Sequence, residues 1–134
     1  MAASARRGSR RPRGANRGRL VRVAQRVLAW ERAPARSHID ITLLSPAGMR
    51  RLNRRATGRR GVTDVISYSL PQPDGSLLGD VYICPEVAGS TEELVRLAVH
   101  GTLHVLGYDH PEGAGRTRSP MWRLQERYVR RLVP

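Results

Sequence analysis

Three of the chain's four histidines, His100, His104 and His110, fall in one short stretch at offsets i, i+4 and i+10. On a helix, positions i and i+4 share a face one turn apart, so the imidazoles of His100 and His104 stand side by side. Gly107 follows where such a helix can end, because glycine accepts the left-handed conformation after the last turn. The chain can then turn back and present His110 from a third direction. Three neutral imidazoles with one position left open for water describe a catalytic zinc site. An isolated histidine on a helix is ordinary filler; three at this spacing around a glycine stop read as a ligand set. Cys84 is available as a fourth ligand but reads as strand filler, and His38 reads as a strand-edge residue.

The elements that must position these groups are visible around them. Ser90-Thr91-Glu92-Glu93 has the capping-box pattern that opens a helix. Leu94, Val95, Leu97, Ala98, Val99, Leu103, Val105 and Leu106 wrap that helix in apolar surface, which predicts a buried central helix. Its one polar stripe is Arg96, His100 and His104. Upstream, Leu20, Val23, Ala24, Val27 and Leu28 recur at helical spacing, and residues 39 to 43 alternate as a half-buried strand. Ser45-Pro46 opens a short helix that turns Met49 and Leu52 inward and Arg50, Arg51, Arg54 and Arg55 outward. Thr63 to Leu70 and Leu78 to Cys84 read as strands. The loop between them, with Pro71, Pro73, Asp74 and Gly75, makes antiparallel pairing the economical arrangement. Pro111 to Arg118 reads as a loop. Ser119-Pro120 then caps a last helix with Met121, Leu124, Tyr128 and Leu132 on one stripe.

At 134 residues the chain is one domain, taken as residues 20–134 behind a basic arm of residues 1–19. The arm holds seven arginines and no acid, too little apolar surface to offset the entropy of ordering, and suits nonspecific contact with RNA. An organellar transit peptide has a similar composition. The net charge is +13 and every basic residue is arginine. That balance points to a polyanionic partner, most simply nucleic acid held through its phosphates, although an arginine-heavy composition also reflects coding bias. Phenylalanine is absent, so base-stacking platforms are not evident. A single cysteine excludes an internal disulfide and fits the reducing cytoplasm. No run of about eighteen apolar residues exists to span a membrane, and the N-terminal stretch has no apolar signal core.

The histidine spacing is that of the metzincin peptidases, His-Glu-x-x-His-x-x-Gly-x-x-His, with their general-base glutamate replaced by Gly101. Glycine moves no proton, which argues against a hydrolase of peptides or other non-RNA substrates. His-Gly-Thr-Leu-His-Val-Leu-Gly-Tyr-Asp-His more closely resembles the signature of the YbeY family of bacterial rRNA maturation endoribonucleases, His-Gly-x-Leu-His-Leu-x-Gly-Tyr-Asp-His. Leu52-Asn53, then Thr63-Asp64-Val65-Ile66-Ser67-Tyr68, and Leu78-Gly79-Asp80-Val81-Tyr82-Ile83 resemble further blocks of that family, in its order. The resemblance implies an α/β (α+β) fold with a small mixed sheet packed against helices. It implies one zinc ion held by His100, His104 and His110. It also implies a role on the small ribosomal subunit, in 16S rRNA maturation at the 3′ end and in ribosome quality control. One departure matters: the family's arginine after its Leu-Asn pair falls at Thr57, preceded by Ala56. Of the nearby Arg54, Arg55, Arg59 and Arg60, Arg59 is the preferred substitute, the alternative being that all four are solvated surface charges. Asp109 would orient a ligand histidine or cap the turn; Asp64 and Asp80 would hydrogen-bond substrate or structure. The expected chemistry is metal-assisted phosphodiester cleavage, with arginine forks matching phosphate charge. A noncatalytic ribosome-assembly factor with a structural metal would need much the same surface.

Overall fold

The computed structural model describes residues 16–59, 61 and 63–133. Its elements run α1 (Arg17–Trp30), β1 (His38–Leu43), α2 (Pro46–Thr57), β2 (Val65–Pro71), β3 (Leu77–Ile83), α3 (Pro85–Ala88), α4 (Thr91–Val105), a 3-10 turn at Gly113–Arg118 and α5 (Pro120–Leu132). The caps that sequence predicts are formed. Ser45 Oγ accepts from Gly48 N–H, Ser90 Oγ from Glu93 N–H and Ser119 Oγ from Trp122 N–H, with proline at the first position of α2 and α5. The reciprocal half of the box at α4 is diverted, because the Glu93 carboxylate binds Arg96 instead.

The helix expected from Leu20 begins earlier. Asn16 caps it, and Arg17 and Arg19, assigned by composition to the arm, form its first turn. The Arg17 guanidinium reaches Ile41 O and the Asp40 carboxylate, tying that turn to β1. The rest of the arm, residues 1–15, lies outside the described residues, as does Arg60.

The sheet is mixed, in the order β1-β3-β2. β3 runs parallel to β1, with Ile41 opposite Val81, and antiparallel to β2, with Ser67 opposite Val81. Pro71, expected in the loop, instead closes β2 opposite Leu77. Proline is tolerated there because β2 is an edge strand. The short α3 and the 3-10 turn were not foreseen; both are too brief to show a period.

The core lies between α4 and the sheet, with α1 and α5 packed around the helix. Contact with β3 is unusually close. A Cβ on Gly101 would stand 2.6 Å from Val81 Cγ1, and one on Gly79 would stand 2.7 Å from both Val105 methyls. Valine methyls on a stiff χ1 have little room to move aside. Gly101→Ala should therefore lower the unfolding free energy by about 1–2 kcal/mol, overpacking outweighing the roughly 1 kcal/mol gained in helix propensity. Val81→Ala in the same chain should recover part of that loss. Denaturant titration of the two single variants and the double variant measures it, and strictly additive effects would contradict the contact.

Candidate metal centre

His100 and His104 leave α4 on the flank beside its β3 contact, facing a cleft walled by β2. The helix ends in a Schellman arrangement: Gly107, at φ 103°, donates its N–H to His104 O, and Tyr108 N–H donates to Leu103 O. The reversal brings His110 back toward the helix. Asp109 Oδ1 accepts the His110 N–H at 2.9 Å and fixes the turn. Tyr108 is anchored in its own right, its hydroxyl donating to Glu31 at 2.6 Å while Tyr128 donates to the same carboxylate.

The protonation of each ring follows from its neighbour. Glu126 can only accept, so the Gln125 amide must turn its NH2 to Glu126 (2.9 Å) and its Oε1 to His100. His100 Nδ1–H therefore donates to Gln125 Oε1, at 2.6 Å. His104 Nδ1–H donates to Tyr108 O and His110 Nδ1–H to Pro111 O, both at 3.0 Å, since a backbone carbonyl has no proton to give. With Nδ1 the protonated atom in all three neutral rings, each Nε2 carries a lone pair. Those three atoms face one another: His104 Nε2 is 3.1 Å from His100 Nε2 and 3.3 Å from His110 Nε2. No proton lies between them, so these contacts are repulsive unless a cation sits among them. Ligand bonds of about 2.0–2.1 Å to a tetrahedral ion put the nitrogens about 3.3–3.4 Å apart. The three histidines are thus a group that can hold a metal ion.

Burial keeps the rings ready for it. His100 is 5 % exposed. Desolvation pushes its pKa down from 6.5 to about 4, against the Gln125 hydrogen bond, with His104, Arg116 and His110 pushing the same way as burial. His104 is lowered too, chiefly by desolvation and secondarily by His110 and Arg116. Both rings stay neutral at pH 7, the state a metal needs.

Beside the imidazoles lies a cleft of about 530 Å³, walled by β2 (Val65, Ile66, Ser67, Ser69), the end of α2 (Thr57), and His100, His104, Val105 and Asp109. Thr57, at the family's arginine position, is on its wall. Arg59 is exposed in the loop after α2, its backbone N–H on Thr57 Oγ1, and is not among the lining residues. Arg54 and Arg55 are exposed on α2. Asp64 offers its backbone O to Cys84 N–H, Asp80 is half-buried on β3, and His38 is exposed at the start of β1. Cys84 is buried and stands outside the three-histidine group. Gln125 escaped sequence reasoning, although a glutamine one turn after Met121 on an apolar stripe was a usable signal.

Fold and site define a class: an α/β protein whose buried helix delivers a three-histidine metal-binding group to a cleft at a sheet edge. The sequence matches the family described as Endoribonuclease YbeY over residues 12–133. It is 34% identical over 131 residues to the Endoribonuclease YbeY of Micrococcus luteus, covering 85% of this chain and 82% of that protein. It is 34% identical over 134 residues to that of Mycobacterium tuberculosis, covering 85% and 75%. The solution structure of a Thermotoga maritima protein superposes with a TM-score of 0.55 at 26% identity, covering 88% of this chain and 83% of that one. The chain belongs to the YbeY family.

Two measurements probe the site. Gln125→Leu should weaken metal binding about 10–100-fold, read by competition with a chromophoric chelator, because His100 loses the acceptor that fixes its tautomer. The pH dependence has a definite sign. His100 has a depressed folded pKa, so its contribution is present above pH 6.5 and is lost as pH falls toward about 4. Metal-free protein should lose stability across that window relative to a His100→Asn variant; parallel profiles would contradict the burial argument.

Proposed function

We propose that this chain is a zinc-dependent endoribonuclease acting in the cytoplasm on small-subunit ribosomal RNA, in maturation of its 3′ end and in ribosome quality control. The relatives are named endoribonucleases. The observation that carries the reading is the convergence of three Nε2 lone pairs on the wall of an open cleft. His100, His104 and His110 would hold the ion. When bound, it supplies Lewis acidity, drawing charge from a phosphoryl oxygen and lowering the pKa of water to about 7.

The chain's own residues do the rest. Neutral His100 and His104 keep their Nε2 atoms free of protons. Asp109 is the single carboxylate lining the cleft, and one of its oxygens is committed to the His110 N–H. That leaves the site without the glutamate base a peptidase places next to its first histidine. Arg50, Arg51, Arg54 and Arg55 are exposed along α2, which ends at the cleft through Thr57, so they offer phosphate contacts leading into it. Ser67 and Thr57 bring hydroxyls to the wall. No described helix is long and apolar enough to cross a membrane.

Thr57 on the cleft wall also favours a second reading, an RNA-binding assembly factor with a structural metal, because the expected arginine is missing there. One assay separates them. The purified protein should cut a precursor rRNA fragment, and His104→Ala should abolish cleavage while leaving RNA binding within a few-fold. Equal cleavage by both proteins would mean a contaminating nuclease; binding without cleavage by the wild type would favour the assembly factor.

A further inference from the structure

The first and last helices bring arginines together on one face. On α1, Arg22 and Arg26 precede Trp30 at successive i+4 steps, so the three share a stripe. On α5, Arg123, Arg127 and Arg131 repeat the same spacing. All five arginines are exposed. The stripes meet at Trp30, whose ring stacks on Tyr128 of α5 with centroids 5.0 Å apart. The Arg131 guanidinium carbon lies 4.2 Å from the centre of the Trp30 ring, and that of Arg26 lies 5.3 Å from it. Guanidiniums held flat on an aromatic ring keep their N–H edges free for a further partner.

Among the described residues no carboxylate pairs with any of the five. Glu31, next to Trp30, spends one oxygen on the Tyr108 hydroxyl and the other on that of Tyr128. Glu126 on α5 is committed to Arg96 and Gln125. Like charges four residues apart on a helix repel each other, so each stripe gains from an anion laid along it. The face also shows which anion. The large apolar side chains that are exposed stand on β2, β3, α3 and the turn after α4, so α1 and α5 offer no apolar row to enter a membrane. With Tyr128 and Arg131 on it, the indole has no free face for a base. What remains is a row of guanidinium forks, matched to successive phosphates and indifferent to sequence. None of these arginines lines the metal cleft.

We propose that the α1–α5 arginine face is a second RNA-binding surface, gripping the phosphate backbone of the RNA outside the cleft that holds the three histidines. It rests on the reading of the chain as a protein that acts on RNA, and it separates holding a long RNA from cutting it.

Arg26→Gln with Arg131→Gln removes two charges while the aliphatic stems still cover Trp30. Binding of a labelled 2′-O-methyl RNA hairpin to the zinc-loaded full chain is measured across a range of salt concentrations. The slope of log Kd against log salt should be smaller by about 1.4–1.8 in this double variant, the share of two phosphate contacts. Arg26→Lys with Arg131→Lys keeps both charges and should hold the slope near that of the wild type. Bound zinc, and kcat on an RNA tetranucleotide, should be unchanged in both. An unchanged slope in the glutamine variant would overturn the surface. So would an equal drop on replacing the exposed Arg32 and Arg36 with glutamine instead, because the charge would then act diffusely. Loss of binding to phosphatidylcholine vesicles containing phosphatidylglycerol, with the RNA slope intact, would overturn it in favour of a membrane. If the wild type cuts no RNA of any length but the slope falls as expected, the nuclease reading fails and the surface stands.

Discussion

The structure depends on how closely one helix can approach one strand. Gly101 and Val81 meet on one side of the α4–β3 contact, and Val105 and Gly79 on the other, each pair complementary in size. With no side chain to hold it off, α4 lies on the sheet itself and is covered by α1 and α5 on its remaining apolar sides. Apolar burial of this kind is the main stabilising contribution to such a fold. It also fixes rotation about the helix axis, since turning α4 by one position would drive His100 or Thr102 into β3 in place of Gly101. Once rotation is fixed, His100 and His104 have one direction left, past β2 and into the cleft.

Rotation alone would leave the rings free to spin about χ2. What stops them is a set of acceptors from three different parts of the chain: Gln125 on α5, the Tyr108 carbonyl after the Schellman turn, and the Pro111 carbonyl. Each takes the Nδ1 proton and so turns Nε2 inward. Behind Gln125 the order continues outward, through Glu126 to Arg96, which also binds Glu92 and Glu93. The Arg96 side chain is only 19 % exposed, so this pairing is worth more than a surface ion pair. The far end of α4's polar stripe thus braces its near end.

How much of this could be read from residues alone follows from the range of each interaction. The ligand histidines, the glycine stop and the serine caps act over a few positions in one element, and spacing reveals them. The mixed sheet came from resemblance to a family, and the parallel β1–β3 pairing has no local signature. Gln125 and Thr57 matter only because separate elements meet. The composition of a short glycine-rich turn gives no hint that Arg116 will be laid on Trp122. Gly101 is the mixed case. In sequence it marks a missing base; in the fold it is also the point where α4 touches Val81, so a glutamate there would be excluded sterically as well as chemically absent.

The pairing of Arg96 shows how the fold sorts charge. Arg96 lies one turn before His100 and is met by three carboxylates, which raise its pKa and cancel its field in the cleft. Arg116 lies instead over the Trp122 ring. A chain with 24 basic and 11 acidic residues has few acids to spend, and three of them stand on Arg96. That distribution makes Arg96 a structural cation and leaves the arginines exposed along α2 facing solvent. A three-histidine group adds no negative charge of its own, so a divalent ion held there keeps its full +2. With the exposed arginines of α2 leading to it, such a cleft attracts phosphate esters and leaves neutral peptide bonds without electrostatic attraction. Specificity for the class of substrate is therefore set by charge balance around the cage as much as by the loss of the peptidase glutamate.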